Sequence, residues 1–337
     1  MTSDGALFPE SDAYQGDPLH PDTDTPTPAS IVATLTGHER EARVNRLTAQ
    51  AHDIYNTALS THLGERRQVA ACVLFSGGND STVLAHMFRN IATHAIHANT
   101  TIGIEETRQF VRDTCHAWGL PLVEETGPDS YRDLVLGLVT TKAGERVWAG
   151  GFPGPGAHGL MYQRLKERAL DKARHTIGVA NSSKTAAVFI AGRRRQESER
   201  RADVPLREAD GSVIWASPLA LWTKPDLATY RLMHRDTDHP VPVNRVSDLI
   251  HMSGECLCGA FAHPGEREEL RFWFPDVVAE IEALEADVRA AGVVPDQWAQ
   301  WGHGLGKPSG SGRLCSSCDA RFDAPELFST THKEVQT

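Results

Sequence analysis

One local pattern restricts the fold of this chain more than any other: an unbroken apolar run that leads through two glycines into a helical stretch. The run at Val69–Phe75 is typical of a strand buried on both faces. It is followed by Ser76–Ser81 (SGGNDS), after which helical periodicity resumes over Thr82–Arg89. A buried strand that turns tightly into a helix is the repeating unit of a parallel α/β sheet.

Further apolar runs alternate with helical stretches along the next part of the chain. Short runs occur at 95–98, 120–123 and 187–191, and the helical stretches are at 39–58, 105–118, 130–139 and 160–173. Alternation of strands with helices predicts a doubly wound parallel sheet. We assign residues 39–235 to this α/β nucleotide-binding domain.

The two ends of the chain have a different composition. Residues 1–30 hold six acidic residues and no Lys or Arg, and they account for much of the net charge of −10. Such a segment buries too little apolar surface to offset its ordering entropy, so 1–38 is predicted to be a disordered acidic tail. Residues 236–337 are predicted to form a cysteine-rich C-terminal subdomain, with a helix at Asp276–Ala291 ended by Gly292.

Composition also bounds the class of protein. Hydrophobic residues make up 40% of the chain, which is enough for a core, and no run has the length that a membrane span needs. The N-terminus does not resemble a secretory signal, so a cytoplasmic protein without membrane association is expected. The acidic balance argues against a general coat on nucleic acid, although not against a local basic site.

The turn between the first strand and its helix has the chemistry of an anion site. A helix start offers unpaired N–H groups and the positive end of the helix dipole. We predict a nucleotide phosphate site formed by Ser76, Gly77, Gly78, Asn79, Asp80 and Ser81. Asp80 is expected either to cap the helix or to help hold Mg²⁺. The alternative is an ordinary strand-to-helix turn, and the absence of GxxxxGK[ST] excludes a Walker-type loop.

At these residues the sequence resembles the PP-loop superfamily, whose mark is SGGxDS after the first strand. That superfamily includes the ATP pyrophosphatases and the phosphoadenosine phosphosulfate (PAPS) reductase family. Three later segments resemble the PAPS reductase family in order: His97–Thr107, Gly192–Arg201 and Pro218–Tyr230. The sequence departs from the family at Leu160–Tyr162, where the family has a tryptophan and a cysteine.

The resemblance implies a PP-loop fold, similar to that of adenine nucleotide alpha-hydrolases, that binds ATP with Mg²⁺. Carried over by position, it adds Thr100, Gly192, Arg194 and Arg201 to the nucleotide-binding residues. It also implies catalytic parts for Asp80, Lys166 and Arg194.

Four of the six cysteines form two close pairs in the C-terminal part. These are Cys256, Cys258, Cys315 and Cys318. Four thiolates suit either tetrahedral zinc or an iron–sulfur cluster, and the spacing alone does not separate the two. Some PP-loop and sulfonucleotide enzymes hold a four-cysteine [4Fe–4S] cluster, so the resemblance favours iron–sulfur, with structural Zn²⁺ as the alternative.

Three functions are compatible with the sequence. In the first, ATP adenylylates a substrate with release of pyrophosphate, coupled to sulfur transfer onto a nucleic-acid or small-molecule acceptor, with a sulfur donor protein as partner. In the second, the chain is a PAPS or adenosine phosphosulfate reductase that takes electrons from a donor protein, with Glu255–Gly259 as the nearest match to the family's ECGxH segment. In the third, it binds an adenine nucleotide without catalysis.

Overall fold

A six-stranded sheet forms the centre of the protein. The structure is a computed structural model that describes residues 14–22, 24–179, 184–198 and 201–303. The strand order is β3-β2-β1-β4-β6-β5, and all neighbours are parallel except the antiparallel pair β5 and β6. The strands are β1 (Arg67–Leu74), β2 (His94–Asn99), β3 (Leu122–Thr126), β4 (Thr185–Ile190), β5 (Arg207–Asp210) and β6 (Val213–Ala216).

Helices cover both faces of this sheet, which confirms the doubly wound α/β fold. They are α1 (Ala29–Thr34), α2 (Gly37–His62), α3 (Asn79–Phe88), α4 (Glu105–Trp118), α5 (Tyr131–Val135), α6 (His158–Tyr162), α7 (Arg168–Thr176), α8 (Lys224–Met233), α9 (Arg245–Ile250), α10 (Glu266–Trp273) and α11 (Pro275–Ala291). A π-helical turn at Gln163–Glu167 joins α6 to α7. Within the described ranges, every helix is too short or too polar to cross a lipid bilayer.

Strand β1 is buried on both faces, as its continuous apolar run predicts. Ala71 and Val73 belong to the core that α2, α3, α4 and α8 build on one face. Ala70 and Cys72 point to the other face and join the core beneath α7. Successive side chains of a strand alternate between its faces, so a strand covered on both sides must be apolar at every position.

The hairpin formed by β5 and β6 was not expected from the sequence. Its strands are four residues each, and the first carries mostly exposed polar residues at the edge of the sheet. Gly211 makes the connecting turn with φ of +56°, a conformation that glycine adopts without steric cost. A short, polar edge strand has no apolar run to reveal it.

The segment expected to be a disordered tail is packed in its described part. Arg43 of α2 is fully buried, and its Nη1 donates to the carbonyl of Pro18 (2.7 Å) and the hydroxyl of Thr27 (3.0 Å). The same guanidinium pairs with Asp226 of α8 at 2.8 Å. The expectation for 1–38 is therefore corrected for residues 14–22 and 24–38, because a buried cation supplies donors to a segment that has few apolar residues. Residues 1–13 and 23 lie outside the described residues.

The described portion of the C-terminal part, residues 236–303, shares its core with the α/β part. Helices α9, α10 and α11 share one apolar cluster with the loop that follows β2, with α5 and with α6, including Ile104, Leu134 and Met161. The expected boundary at 235/236 therefore does not separate two cores. The predicted helix at 276–291 is confirmed as α11, which ends at Gly292. Cys315 and Cys318 lie outside the described residues.

Candidate functional site

The candidate site lies at the carboxyl edge of the sheet, between β1 and β4. Strands β2 and β3 lie on one side of β1 in the sheet. Strand β4 lies on the other side of β1, and its next neighbour in the sheet is β6. The crevice where the strand order reverses is the usual ligand position in open α/β sheets. Residues 76–81 leave β1 at this edge and residues 192–198 leave β4 at the same edge.

The loop after β1 has the geometry of an anion cradle. Gly77 has φ of +79°, and an ideal Cβ there would lie 2.7 Å from Cγ2 of Thr107, so only glycine fits. Gly78 is the N-cap of α3, and the Ser76 and Ser81 hydroxyl oxygens are 3.1 Å apart. Because the first N–H groups of a helix have no acceptor within it, the start of α3 can bind phosphate oxygens.

Asp80 is paired with Arg194 and does not cap the helix. The N-cap of α3 is Gly78, which forms no side-chain cap. Arg194 Nε donates to Asp80 Oδ2 at 2.5 Å, and the side chains are 3% and 21% exposed respectively. The capping alternative for Asp80 is therefore wrong, while the Mg²⁺ alternative stays a prediction. The ion pair joins the loop after β1 to the loop after β4.

The segment after β4 covers the start of α3. An ideal Cβ on Gly192 would lie 3.6 Å from both Cα and N of Ser81, so this glycine keeps the helix start open. Arg201 forms an ion pair with Glu197. Burial raises the pKa of Glu197, and the negative charge of Asp80 raises it further. The positive charges of Arg201 and Arg194 partly offset this rise. Glu197 was part of the recognised segment, but no role was predicted for it.

Residues far along the chain support the loop from behind, and no sequence signal marked them. Asn244 Nδ2 donates to the carbonyl of Gly77 at 2.8 Å and to Oγ1 of Thr107 at 3.1 Å. Arg231 Nη1 donates to Oδ1 of Asn79 at 3.2 Å. These contacts hold the Gly77 carbonyl and the Asn79 side chain of the loop in place.

Thr100 has a supporting position and not an exposed one. It is fully buried, its backbone N–H donates to Glu255 Oε1 at 2.9 Å, and its hydroxyl donates to the Glu255 carbonyl at 2.5 Å. None of its surface is open to a ligand, so the structure does not support the predicted nucleotide contact. Thr100 instead fixes the segment that leads to Cys256.

Lys166 lies close to the cysteine pair. A hydrogen bond with the Cys258 thiol lowers the pKa of Cys256, and the positive charge of Lys166 lowers it further. The same hydrogen bond, together with burial, raises the pKa of Cys258. The predicted catalytic part of Lys166 stays a prediction.

The described half of the cysteine set is unpaired by disulfides. Cys256 and Cys258 are both free thiols, and Cys258 is buried. Among the described residues there is no group of three or more His, Cys, Asp or Glu side chains that could hold a metal ion. A metal centre here would require the second pair, at 315 and 318, so the metal assignment stays a prediction.

Comparison with known families gives one match over the α/β part. The phosphoadenosine phosphosulfate reductase domain matches residues 70–242, which include the loop after β1 and the segment after β4. The comparison with curated proteins yields no match.

Solved structures similar to this chain include two Candida enzymes. A phosphoadenylyl-sulfate (PAPS) reductase from Candida auris, solved with phosphate, has 18% identity and a TM-score of 0.38, covering 64% of this chain and 93% of that one. Candida glabrata FMN adenylyltransferase with FAD and inorganic pyrophosphate has 11% identity and a TM-score of 0.39, covering 65% of each chain. Scores of this size carry no argument, so the assignment to a family depends on the match over 70–242.

Proposed function

We propose that this chain, which belongs to the phosphoadenosine phosphosulfate reductase domain family, is an enzyme that binds ATP with Mg²⁺ at residues 76–81. It uses the nucleotide to adenylylate an acceptor with release of pyrophosphate, coupled to sulfur transfer. The observation that supports this proposal most is the intact loop of Ser76–Ser81 at the start of α3.

The loop fits a leaving pyrophosphate. The N–H groups at the start of α3 and the facing hydroxyls of Ser76 and Ser81 can donate to its oxygens. Asp80 is partly exposed beside this anion site. A carboxylate next to phosphate is repelled unless a cation lies between them, and carboxylate oxygen is a preferred ligand of Mg²⁺. Asp80 and the nucleotide phosphates would therefore hold the metal together.

The reaction is a displacement at the α-phosphorus. An oxygen of the acceptor forms a new bond to that phosphorus, and the bond to the bridging oxygen breaks, so that pyrophosphate leaves with the electron pair. When bound, Mg²⁺ would supply charge neutralisation on the phosphate oxygens. Arg201, which is partly exposed and paired with Glu197, is the cation proposed for the transferred group, whereas the buried Arg194 would hold Asp80 in place for the metal.

The sulfur step is assigned to the C-terminal cysteines. Cys256, Cys258, Cys315 and Cys318 would hold a [4Fe–4S] cluster, with structural Zn²⁺ as the alternative. Cys256 and Cys258 fit this use because they are adjacent free thiols with no disulfide. Metal analysis of anaerobically purified protein tests the assignment: Cys315→Ser should lower iron or zinc content, whereas Cys115→Ser, in the buried core, should not. Unchanged metal content in Cys315→Ser would remove the four-thiolate proposal.

One observation favours a second function, sulfonucleotide reduction. The pKa of Cys256 is lowered by Cys258 and Lys166, which favours a thiolate nucleophile. Its sulfur would form a bond to the sulfate sulfur of the nucleotide while the bond from that sulfur to the phosphate oxygen breaks, so that the nucleoside phosphate leaves with the electron pair. One thiol of a dithiol donor protein would then attack the Cys256 sulfur and release sulfite, and the second thiol would free Cys256 and leave the donor as a disulfide. Cys256 would serve here as a nucleophile and not as a metal ligand.

The two functions are separated by their products. ATP–pyrophosphate exchange is measured with nucleic-acid and small-molecule acceptors, and sulfite release is measured from PAPS with a dithiol reductant. Exchange that is lost in Gly192→Ala supports adenylyl transfer. Sulfite release without exchange supports the reductase, and nucleotide binding with neither product supports a non-catalytic binding protein.

A further inference from the structure

We propose that Glu255 is a positioning residue that couples occupancy of the phosphate loop to the geometry of Cys256 and Cys258. The inference rests on the proposed function, since it requires that residues 76–81 bind a nucleotide. It goes beyond that function because it connects the nucleotide site to the thiol site through named atoms.

The first connection runs through a buried histidine. His97 Nδ1 donates to the carbonyl of Phe75, the residue before the loop, at 2.8 Å. Its Nε2 lies 3.1 Å from Glu255 Oε2, and both side chains are almost completely buried. A displacement of the loop start is therefore transmitted to the Glu255 carboxylate, and Cys256 is the next residue in the chain.

The second connection runs through the backbone two residues earlier. Thr107 Oγ1 donates to the carbonyl of Ser253 at 2.6 Å, and the same Thr107 hydroxyl accepts from Asn244, which holds Gly77. An ideal Cβ on Gly78 would lie 3.1 Å from the Cβ of Ser253, so the loop and this segment are in close contact. The phosphate loop therefore meets the 253–255 segment at two places.

The segment 254–258 is in turn held along its length by the loop that follows β2. Ile104 N–H donates to the Gly254 carbonyl at 2.9 Å, and Leu257 N–H donates to the Ile102 carbonyl at 2.8 Å. Between them, Thr100 donates to both the carboxylate and the carbonyl of Glu255. These contacts make 254–258 move as a unit, so a shift at Glu255 reaches both cysteines.

Glu255 also lies within ion-pair distance of a second cation. Arg108 Nε lies 3.4 Å from Glu255 Oε2, the same oxygen that faces His97 Nε2, and both Nε and Nη2 of this guanidinium are buried without a hydrogen-bond partner in the part of the chain that the structure describes. A shift of the Glu255 carboxylate from His97 toward Arg108 would supply the missing acceptor. Coupling between two sites requires a second arrangement of this kind, and the proposal includes it.

Hydrogen exchange measured by mass spectrometry tests the coupling. Amide exchange of residues 256–262 is compared with and without saturating Mg-ATP, and again with PAPS, on the full chain as purified. Either nucleotide should change the wild-type exchange rate at least threefold. In Glu255→Gln, which keeps the side-chain shape, this change should fall to less than half, while the nucleotide still raises the Tm.

A second variant protects the test against loss of folding. Thr107→Val removes the hydroxyl that holds Ser253 but keeps its shape, and should also weaken the nucleotide effect on 256–262. Thr114→Val, buried two turns further along α4, is the matched control and should behave as wild type. Nucleotide stabilisation with unchanged exchange at 256–262 would overturn this inference alone. Absence of stabilisation by every nucleotide would overturn the proposed function as well.

Discussion

The side-chain amide of Asn244 holds the carbonyl of Gly77 across 2.8 Å, although 167 residues separate them in the chain. The bond is fully buried and fixes the peptide that precedes the N–H groups proposed to bind phosphate. Because Asn244 is also the N-cap of α9, one residue starts a C-terminal helix and orients the phosphate loop. The loop therefore depends on the C-terminal part of the chain for its shape.

Asn244→Ala should weaken nucleotide binding and lower stability together. The Gly77 carbonyl would lose a buried donor, which costs about 1–3 kcal/mol. Denaturant unfolding and nucleotide titration of the same preparations measure the two effects. Asn56→Ala, at an exposed position on α2, is the control and should change neither stability nor nucleotide affinity. Unaltered nucleotide affinity in Asn244→Ala would contradict the proposal that Asn244 holds the loop in its binding conformation.

Gly192→Ala should reduce nucleotide binding while leaving stability nearly unchanged. The new methyl group would make ordinary contacts of 3.6 Å with the backbone of Ser81, so the fold accepts it. It would occupy space directly against the start of α3, where phosphate oxygens are expected. Calorimetric titration should give a dissociation constant at least tenfold larger than that of wild type. The Tm, measured separately, should stay within about 2 °C of wild type. Wild-type affinity would show that the ligand does not lie there.

Gly77→Ala should give the opposite pattern, with a large loss of stability. Its φ of +79° is strained for alanine, and the methyl group would lie 2.7 Å from Cγ2 of Thr107. The expected cost in the free energy of unfolding is about 2 kcal/mol or more. Gly64→Ala offers a control, because it has φ of +57° but open space around its Cβ position. Equal losses in the two variants would show that strain, and not contact with Thr107, is responsible.

Asp80→Asn should remove the Mg²⁺ dependence of nucleotide binding. The carboxylate is proposed to share Mg²⁺ with the phosphates, whereas an amide is a weaker ligand. Tm shifts measured with ATP in Mg²⁺ and in EDTA should differ in wild type and become alike in the variant. Some loss of stability is expected too, because Arg194 loses a charged partner. A retained Mg²⁺ dependence would assign the metal to other ligands.

Stability should decrease as the pH is lowered from about 6.5 to about 4. Burial lowers the pKa of His86 from 6.5 to about 4. The imidazole ring is hydrogen-bonded to the hydroxyl of Tyr230 and to the carbonyl of His239. The unfolded chain therefore binds a proton first, and stability present above pH 6.5 is lost toward pH 4 by up to about 3 kcal/mol. Urea unfolding at several pH values should show that the free energy of unfolding varies less with pH in His86→Gln than in wild type. The exposed His116→Gln should have the same pH dependence as wild type.

Much of the fold followed from the sequence because burial leaves a pattern. The runs that became β1 and β4 are apolar at consecutive positions, since helices cover both faces of the sheet. The edge strand β5 and the packing of residues 14–22 and 24–38 left no such pattern. The strand β5 is polar and mostly exposed, and the packing depends on the buried Arg43, whose partner Asp226 lies 183 residues away.

The candidate site was predictable only where its residues are close in sequence. The loop 76–81 was found because a turn, a helix start and two glycines lie within six residues. Asn244, Ser253 and Glu255 complete the site through tertiary contacts alone. Thr100 was expected to contact the nucleotide, but it lies behind the site, since a position in a motif does not show which way a side chain points.

Residues 76–81 are proposed to bind an adenine nucleotide. The most direct test is a thermal shift measurement on anaerobically purified protein with saturating Mg-ATP, adenosine phosphosulfate and PAPS, because a ligand that binds only the folded state raises its stability. We predict that Mg-ATP raises the Tm of wild type by several degrees and leaves that of Gly192→Ala almost unchanged. A sulfonucleotide as the only stabilising ligand would favour the reductase. Equal shifts in both proteins, or no shift with any nucleotide, would contradict the claim.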